Sequence, residues 1–574
     1  MFLPELYEIN VQRDMIRKFA GLNATLYVKD GEFSDMKNLS SDNYPVLSPR
    51  KKRHKIRQLT KPNGLFAHNK LAWVDGTGFY YNGTLKGAVT DSEKQMVAMG
   101  AYIIIFPDKK YYNTHTDEYG ELGHKTELSS GSVSWELCSK DAASYTYTSG
   151  TTAPENPANG AYWLDTSGTP HVLKQYSSTQ GTWATVPTTY VKISAAGIGT
   201  GFAELDTVTI SGITESALNG DFSLQKVESG YVLITAIIDA AGSMTASSTA
   251  KVTLERKVPD MDFITECDNR IWGCSNEKHE IYASKQGDPK NWYSYLGIAS
   301  DSYAMTVGTR GDFTGAVTHL GYITFLKEDV IQKIYGSKPA NFKLIDTNAR
   351  GVEKGSEKSL TMINETLFYV SKSDVCCYAT SLPQGISRNL GNEDYKNAVG
   401  GALGRKYYVS MQDEDGNWGL YVYDTDYGTW HKEDNTHVKF FAAKGNELYF
   451  VDANGWLWNM NGTTTYDVSG QSAEEGEIEW YAETGVLGMD EPDKKYISKL
   501  QFRVQADAGS TLRIEAAYDD GDFTDIFRYS AQKLKSFTVP VTVRRCDTVK
   551  LRLSGRGMCK VYSIAKTVEQ GGDA

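Results

Sequence analysis

The stretch Glu365–Ala379 reads ETLFYVSKSDVCCYA: an apolar run of strand length, a polar turn and a second apolar run. Its residues alternate with period two and carry no helical stripe, so they predict a β-hairpin. In such a strand the adjacent Cys376 and Cys377 point to opposite faces. The same layout recurs in NRIWGCSNEKHEIYASK from Asn269, GYITFLKEDVIQKIYG from Gly321, GRKYYVSMQDEDGNWGLYVYD from Gly404 and NELYFVDANGWLWNMNG from Asn446. Successive starts at 269, 321, 365, 404 and 446 are 52, 44, 39 and 42 residues apart. That is the spacing of four-stranded propeller blades, which repeat every ~40 to 50 residues. Each hairpin is expected to supply the inner strands of a blade. The competing reading is a series of unrelated hairpins in a sandwich. Two earlier units, KLAWVDGTGFYYNG (Lys70–Gly83) and AYIIIFPDKKYYN (Ala101–Asn113), have the same form.

Working outward, the composition shifts between about 131 and 257 to Thr, Ser, Ala and Gly. This region predicts two small β modules inserted as a decoration on one blade, with Asn219-Gly220 as a hairpin turn. From about 475 the runs EIEWYAETGVL, KYISKLQFRVQ and STLRIEAAYDD predict a terminal β-sandwich. The first 60 residues hold few apolar side chains and predict an extended arm that orders only against something else. The expected organisation is therefore all-β: an arm at 1–60, first blades at 61–130, inserted β modules at 131–257, remaining blades at 258–474 and a C-terminal β-sandwich at 475–574.

Bulk properties agree. At 574 residues the chain is too long for one core, with 40% hydrophobic and 23% charged residues. The 36 Tyr and 53 Gly suit strands and turns. A net charge of −11 disfavours a protein that grips DNA but allows a channel through which DNA slides. No apolar run approaches the ~20 residues needed to span a bilayer, and the N-terminus MFLPELYEIN lacks the pattern of a signal peptide, so synthesis in a cytoplasm is expected. Seven Cys without a CxxC read as buried hydrophobes.

Catalytic and nucleotide-binding motifs (GxGxxG after a strand, GxxxxGK[ST], HExxH, GxSxG) are missing, and His54, His124, His171, His279 and His431 each lack a second ligand at metal spacing. No enzyme activity, cofactor or metal is expected. YDTDYGTWH, Tyr423–His431, partly resembles the Asp-box turn of sialidase-type propellers, with Asp426, Gly428, Thr429 and Trp430 in place but Gly to Trp one residue short. Its plain reading is a hairpin turn capped by Asp. The basic run Arg50, Lys51, Lys52, Arg53, Lys55 and Arg57, with His54 inside it, is the one charge cluster of note. It is either a contact for a partner or DNA phosphate, or a solvated loop. Trp163, Tyr176, Trp183 and Tyr190 either stack on sugars or form the cores of the inserted modules.

Two stretches carry a family resemblance. One is FAGLNATLYVKDGEFSDMKNLSSDNYPVLSPRKKR, Phe19–Arg53; the other spans Lys495–Lys566, KYISKLQFRVQ and then LKSFTVPVTVRRCDTVKLRLSGRGMCKVYSIAK. Together they resemble phage packaged-DNA stabilisation proteins, grouped with the tail-hub or nozzle (tail tubular protein B-like) proteins of short-tailed phages. The middle stretch VPDMDFITECDNRIWGCSNEKHEIYASKQGDPKNWY fits the same group, whereas 131–257 departs from it. The resemblance implies a virion tail protein assembled in the host cytoplasm. It implies a homo-oligomeric, usually hexameric ring below the portal and adaptor that continues the DNA channel, retains packaged double-stranded DNA without reading its sequence, and carries fibres, spikes or a needle. A tail-associated glycan-binding or glycan-degrading propeller protein stays open as the alternative.

Overall fold

The computed structural model describes residues 11–391, 394–462, 473–487, 494–530, 532–541 and 544–570. Among them there is no α-helix; strands and turns carry the fold. Seven antiparallel blades of four strands follow one another, here numbered I (62–88), II (95–121), III (263–306), IV (315–348), V (361–385), VI (396–434) and VII (438–459 with 54–58); blade VI runs on into a ten-stranded sheet, and blade VII carries a fifth strand, Ala473–Glu474. First strands lie side by side from blade I to II, II to III, III to IV, V to VI and VI to VII, blades IV and V pack through a shared core, and blade VII returns to blade I at Val438–Lys444 against Pro62–His68. The body is a closed β-propeller.

Alternation explains why these strands look apolar on both faces. In Tyr102–Phe106, Ile103 and Ile105 pack with blade I, while Ile104 and Phe106 pack with blade III. In Thr366–Val370, Leu367 and Tyr369 face blade IV; Phe368 and Val370 join blade VI. Cys376 and Cys377 divide in the same way between those two cores, as the period-two reading requires. Such strands are sandwiched, so both side-chain sets leave water, each large side chain contributing ~1.5–3 kcal/mol of burial. The recurrent hairpins are the second and third strands of each blade, not the first, inner ones.

The stretch expected as an arm is extended, but it lies against its own chain. Residues 1–10 fall outside the described residues. Val11–Ile16 pairs with Cys559–Gln570, Glu32–Lys37 pairs with Glu479–Thr484, and His54–Gln58 is the fourth strand of blade VII, between Trp456–Asn459 and Ala473–Glu474. Five of its apolar residues, Phe19, Leu22, Phe33, Met36 and Leu39, are buried, while Val11, Met15, Leu26 and Tyr27 stay exposed. A few well-placed apolar residues suffice when strand pairing is supplied by segments hundreds of residues away.

The C-terminal strands form a β-sandwich of two sheets with strands from residues 11–37. One sheet is formed by 11–16, 559–570, 495–506 and 535–539; the other continues blade VI through 21–22, 32–37, 479–484, 549–556, 511–518 and 524–529. The join is Gly21–Leu22, where Leu22 pairs with Trp430. A Cβ on Gly21 would sit 2.3 Å from the Trp430 carbonyl oxygen, and its φ is +83°, so glycine permits this close approach. Sandwich and blades V–VI share one core, with Trp430 and Trp480 almost wholly buried.

The insertion begins at His124 and ends at Arg256, between blades II and III instead of at a blade tip. It is an eight-stranded sheet with a four-stranded sheet (147–185) nested inside its sequence. The two share a single core that includes Leu164 and Leu173, so the expected pair of separate modules is one unit. Asn219-Gly220 is not a two-residue turn: the connection from Ser211 to Gly220 holds a short 3-10 turn, Ser216–Leu218. At the base, Arg256 pairs with Asp206 and its Nε donates to the Leu122 carbonyl at 3.0 Å, while Asn291 of blade III accepts from the Thr207 N–H at 2.8 Å.

Candidate functional site

The basic run and the Asp-box-like turn, far apart in sequence, converge on one cleft of about 450 Å³. Ser40–Asp42, Arg50, Lys51 and Arg53 form one wall; Arg405, Lys406, Asp424, Asp426, Tyr427 and Glu433 of blade VI form the other. Tyr427 stacks on Tyr44 across the mouth, ring centres 3.9 Å apart.

Most of the run is used within the chain. Arg50 makes a two-point contact to Glu475 (2.7 and 2.8 Å) and donates Nε–H to Asn38 Oδ1 at 2.8 Å. Arg53 donates to Glu433 at 2.6 Å, lies 2.9 Å from Asp434 and lies over the Phe450 ring. Both arginines are buried. Burial acts against the Arg53 charge, but Asp434, Glu433 and Glu475 outweigh it and hold the guanidinium above its ordinary value. Burial likewise pushes Asp434 up, and Arg53 more than reverses this, bringing the carboxyl down to about 2. Glu475 is lowered by Arg50 and Arg53 against its burial. Lys55 sits over Trp456 and Trp458, Arg57 over Trp73, and Lys52 reaches Glu474 and Glu477 at 3.8 and 3.6 Å near the surface. Lys51 is exposed at the cleft. Of the six cations Arg50 and Arg53 are buried against carboxylates of their own chain, Lys52, Lys55 and Arg57 are half-buried, and Lys51 is exposed. The partners of the two arginines, Glu433, Asp434 and Glu475, lie some four hundred residues away, and nothing local in the sequence announces them.

Tyr423–His431 is a hairpin turn, as its plain reading had it. Asp424 pairs with Thr429 across the strands, Asp424 Oδ1 accepts from the Asp426 N–H at 3.0 Å, and Gly428 has φ +64°. Asp424 also accepts from Ser41 Oγ, Asp426 is paired with Arg405, and Asp42 with Lys406. Burial raises the Asp42 carboxyl, but Lys406 lowers it further, favouring the charged form. The cleft is therefore an electrostatically compensated seam. Trp430 donates its indole N–H to Ile386 O at 2.7 Å, and His431 is buried beneath, where desolvation lowers its pKa to about 3.

The other singled-out histidines are dispersed: His124 contacts Thr200 O at 2.9 Å, His171 contacts Asp239, His279 occupies a turn with φ +52°, and His54 lies in the closing strand. Among the described residues no three His, Cys, Asp or Glu side chains are grouped to hold a metal, and all seven Cys are free thiols. No helix among them is long and apolar enough to cross a membrane. In the insertion, Trp163, Tyr176 and Trp183 sit on the small sheet and Tyr190 starts a strand of the large one.

No family model matches the chain, and no curated protein does. Among solved structures, Hsv2 of Kluyveromyces lactis is 12% identical over 49% of this chain and 66% of its own, with a TM-score of 0.24. An exo-beta-1,3-galactanase from Phanerochaete chrysosporium is 7% identical over 53% of this chain and 95% of its own, at 0.22. Chaetomium thermophilum Raptor is 9% identical over 71% of this chain and 29% of its own, at 0.29. Likenesses this slight carry no argument about function.

Proposed function

We propose that this chain is a structural subunit of a short-tailed phage tail, assembling as a ring below the portal and adaptor, continuing the DNA channel and holding peripheral tail parts. The observation that supports this reading most is the meeting of the two segments that carry the family resemblance. Phe19–Arg53 and Lys495–Lys566 lie at opposite ends of the chain, yet both build the sandwich, with Val11–Ile16 against Cys559–Gln570 just before the first segment. A closed propeller welded to a sandwich by one continuous sheet suits a load-bearing part. In this reading the ring contacts do not come from residues 11–60 as a free arm. They fall to apolar side chains left uncovered, above all Leu26, fully exposed, and Tyr27 beside it. That loop is held in shape by Asn23, whose side chain binds the Thr25 N–H and hydroxyl and the Tyr27 carbonyl, so an apolar tip is presented rigidly.

The deciding test is the mass of the purified protein alone and with its phage's portal–adaptor complex. Ring formation on that complex is expected; a chain that stays monomeric in its presence contradicts the proposal. Leu26→Asp is expected to prevent ring formation while leaving the melting temperature of the monomer unchanged.

A further inference from the structure

The small sheet of the insertion has two differently used faces. Tyr162–Asp165 is paired with Val172–Ser177, and that strand with Thr182–Thr185. Leu164 and Leu173 enter the core shared with the large sheet. By strand alternation the neighbours Trp163 and Lys174, directly opposite each other, lie on the other face, as do the opposed pair Tyr176 and Trp183. On that face Trp163 and Trp183 meet edge to face at 5.5 Å, Tyr176 and Trp183 lie 5.3 Å apart, and Lys174 sits 5.1 Å from the centre of the Trp163 ring. Lys174 also bonds Asp165 at 2.8 Å. Trp163 is buried beneath this group, its indole N–H donating to Gly150 O; Tyr176 and Trp183 are half-exposed.

These aromatics are therefore not the module's core, which Leu164 and Leu173 supply. They form a second, outward platform: aromatic surface flanked by a charged donor–acceptor pair. From this geometry we infer that the outward face of residues 147–185 is a saccharide-binding site. A pyranose offers an apolar C–H face to Tyr176 and Trp183 and hydroxyls at its rim to Asp165 and Lys174, the combination of apolar bulk and few placed polar groups that small-molecule sites use. A nucleic-acid strand fits less well, because the only cation among these residues is already paired with Asp165. None of these residues belongs to the Leu26–Tyr27 loop to which the ring contacts are assigned.

The test is binding of the full-length protein to an array of hexose and N-acetylhexosamine oligosaccharides. Wild type is expected to bind a subset, Trp183→Ala to bind that subset at least about tenfold more weakly, and Trp183→Phe to retain most of the affinity. Thr185→Arg, which leaves every ring in place but puts bulk over the exposed edge of the same face, is expected to block binding at an unchanged melting temperature. Absence of binding to any glycan, or undiminished binding by both Trp183→Ala and Thr185→Arg, overturns the inference.

Discussion

Arg53 shows how much the stability of this chain rests on charges removed from water. Its guanidinium and the Glu433 carboxylate are buried beside half-buried Asp434, so replacing Arg53 leaves both carboxylates facing Arg50 alone, at 3.7 and 3.6 Å. Arg53→Met is expected to destabilise by ~3–5 kcal/mol, read as a lowered denaturant midpoint. Replacing Lys52, whose ion pairs are at the surface, is expected to cost under ~1 kcal/mol. The same cluster sets the acid limit. Asp434 is held at about 2, below its unfolded value, so its stabilisation is complete above that value and is lost as pH falls from about 4 towards 2. His431 adds to this from the other side: buried and lowered to about 3, it stays neutral in the folded chain while the unfolded chain takes up a proton near pH 6.5. Stability is therefore expected to decline from about pH 6.5 down to 3 through His431, then further through Asp434. Denaturation midpoints measured from pH 7 to 3 should show that slope, and His431→Gln should flatten it above pH 4. An unchanged slope in that variant would place the acid sensitivity elsewhere.

Blade VII is completed by a strand from the other end of the chain, and that strand holds the end of the basic run, Lys55 and Arg57. His54–Gln58 has Ile56 fully buried in the core between blades VII and I, with Lys55 and Arg57 covering tryptophans. The run is thus a latch: the charges of Lys55 and Arg57 lie over tryptophan rings, and those of Arg50 and Arg53 meet carboxylates at the seam. Ile56→Asp places an unpaired carboxylate in that core and is expected to cost ~3 kcal/mol or more. Hydrogen exchange should then accelerate in 438–459 and 62–75 before the rest of the propeller. Uniform acceleration across all seven blades would mean that the ring opens as a whole, without a weak seam.

At the scale of the whole molecule, the insertion has a core of its own and is tied down by few polar contacts. Residues 124–256 expressed alone are expected to unfold cooperatively, because Val133, Ile193, Val232 and Leu254 bury one another without help from the propeller. In the full chain, Asn291→Ala combined with Asp206→Ala is expected to split calorimetric melting into two transitions, one for the insertion and one for the propeller and sandwich. The propeller and sandwich share a core and a continuous sheet, so they should remain one transition.

The sequence by itself determined the all-β class, the blade spacing, the existence of an insertion and of a terminal sandwich, and the opposite facing of Cys376 and Cys377. These follow from period-two alternation and turn residues, which are local properties of the chain. Only the tertiary structure decided that the first sixty residues, from 11 on, are strands of the sandwich and the latch of the propeller. It alone decided that Arg50 and Arg53 are sealed against Glu433, Asp434 and Glu475, and that Trp163, Tyr176 and Trp183 lie outside the core of their module. Each depends on a partner strand or charge far away in sequence. A polar or sparsely apolar segment carries no sign of which distant edge will pair with it, and an aromatic residue none of which face of its sheet another sheet will cover.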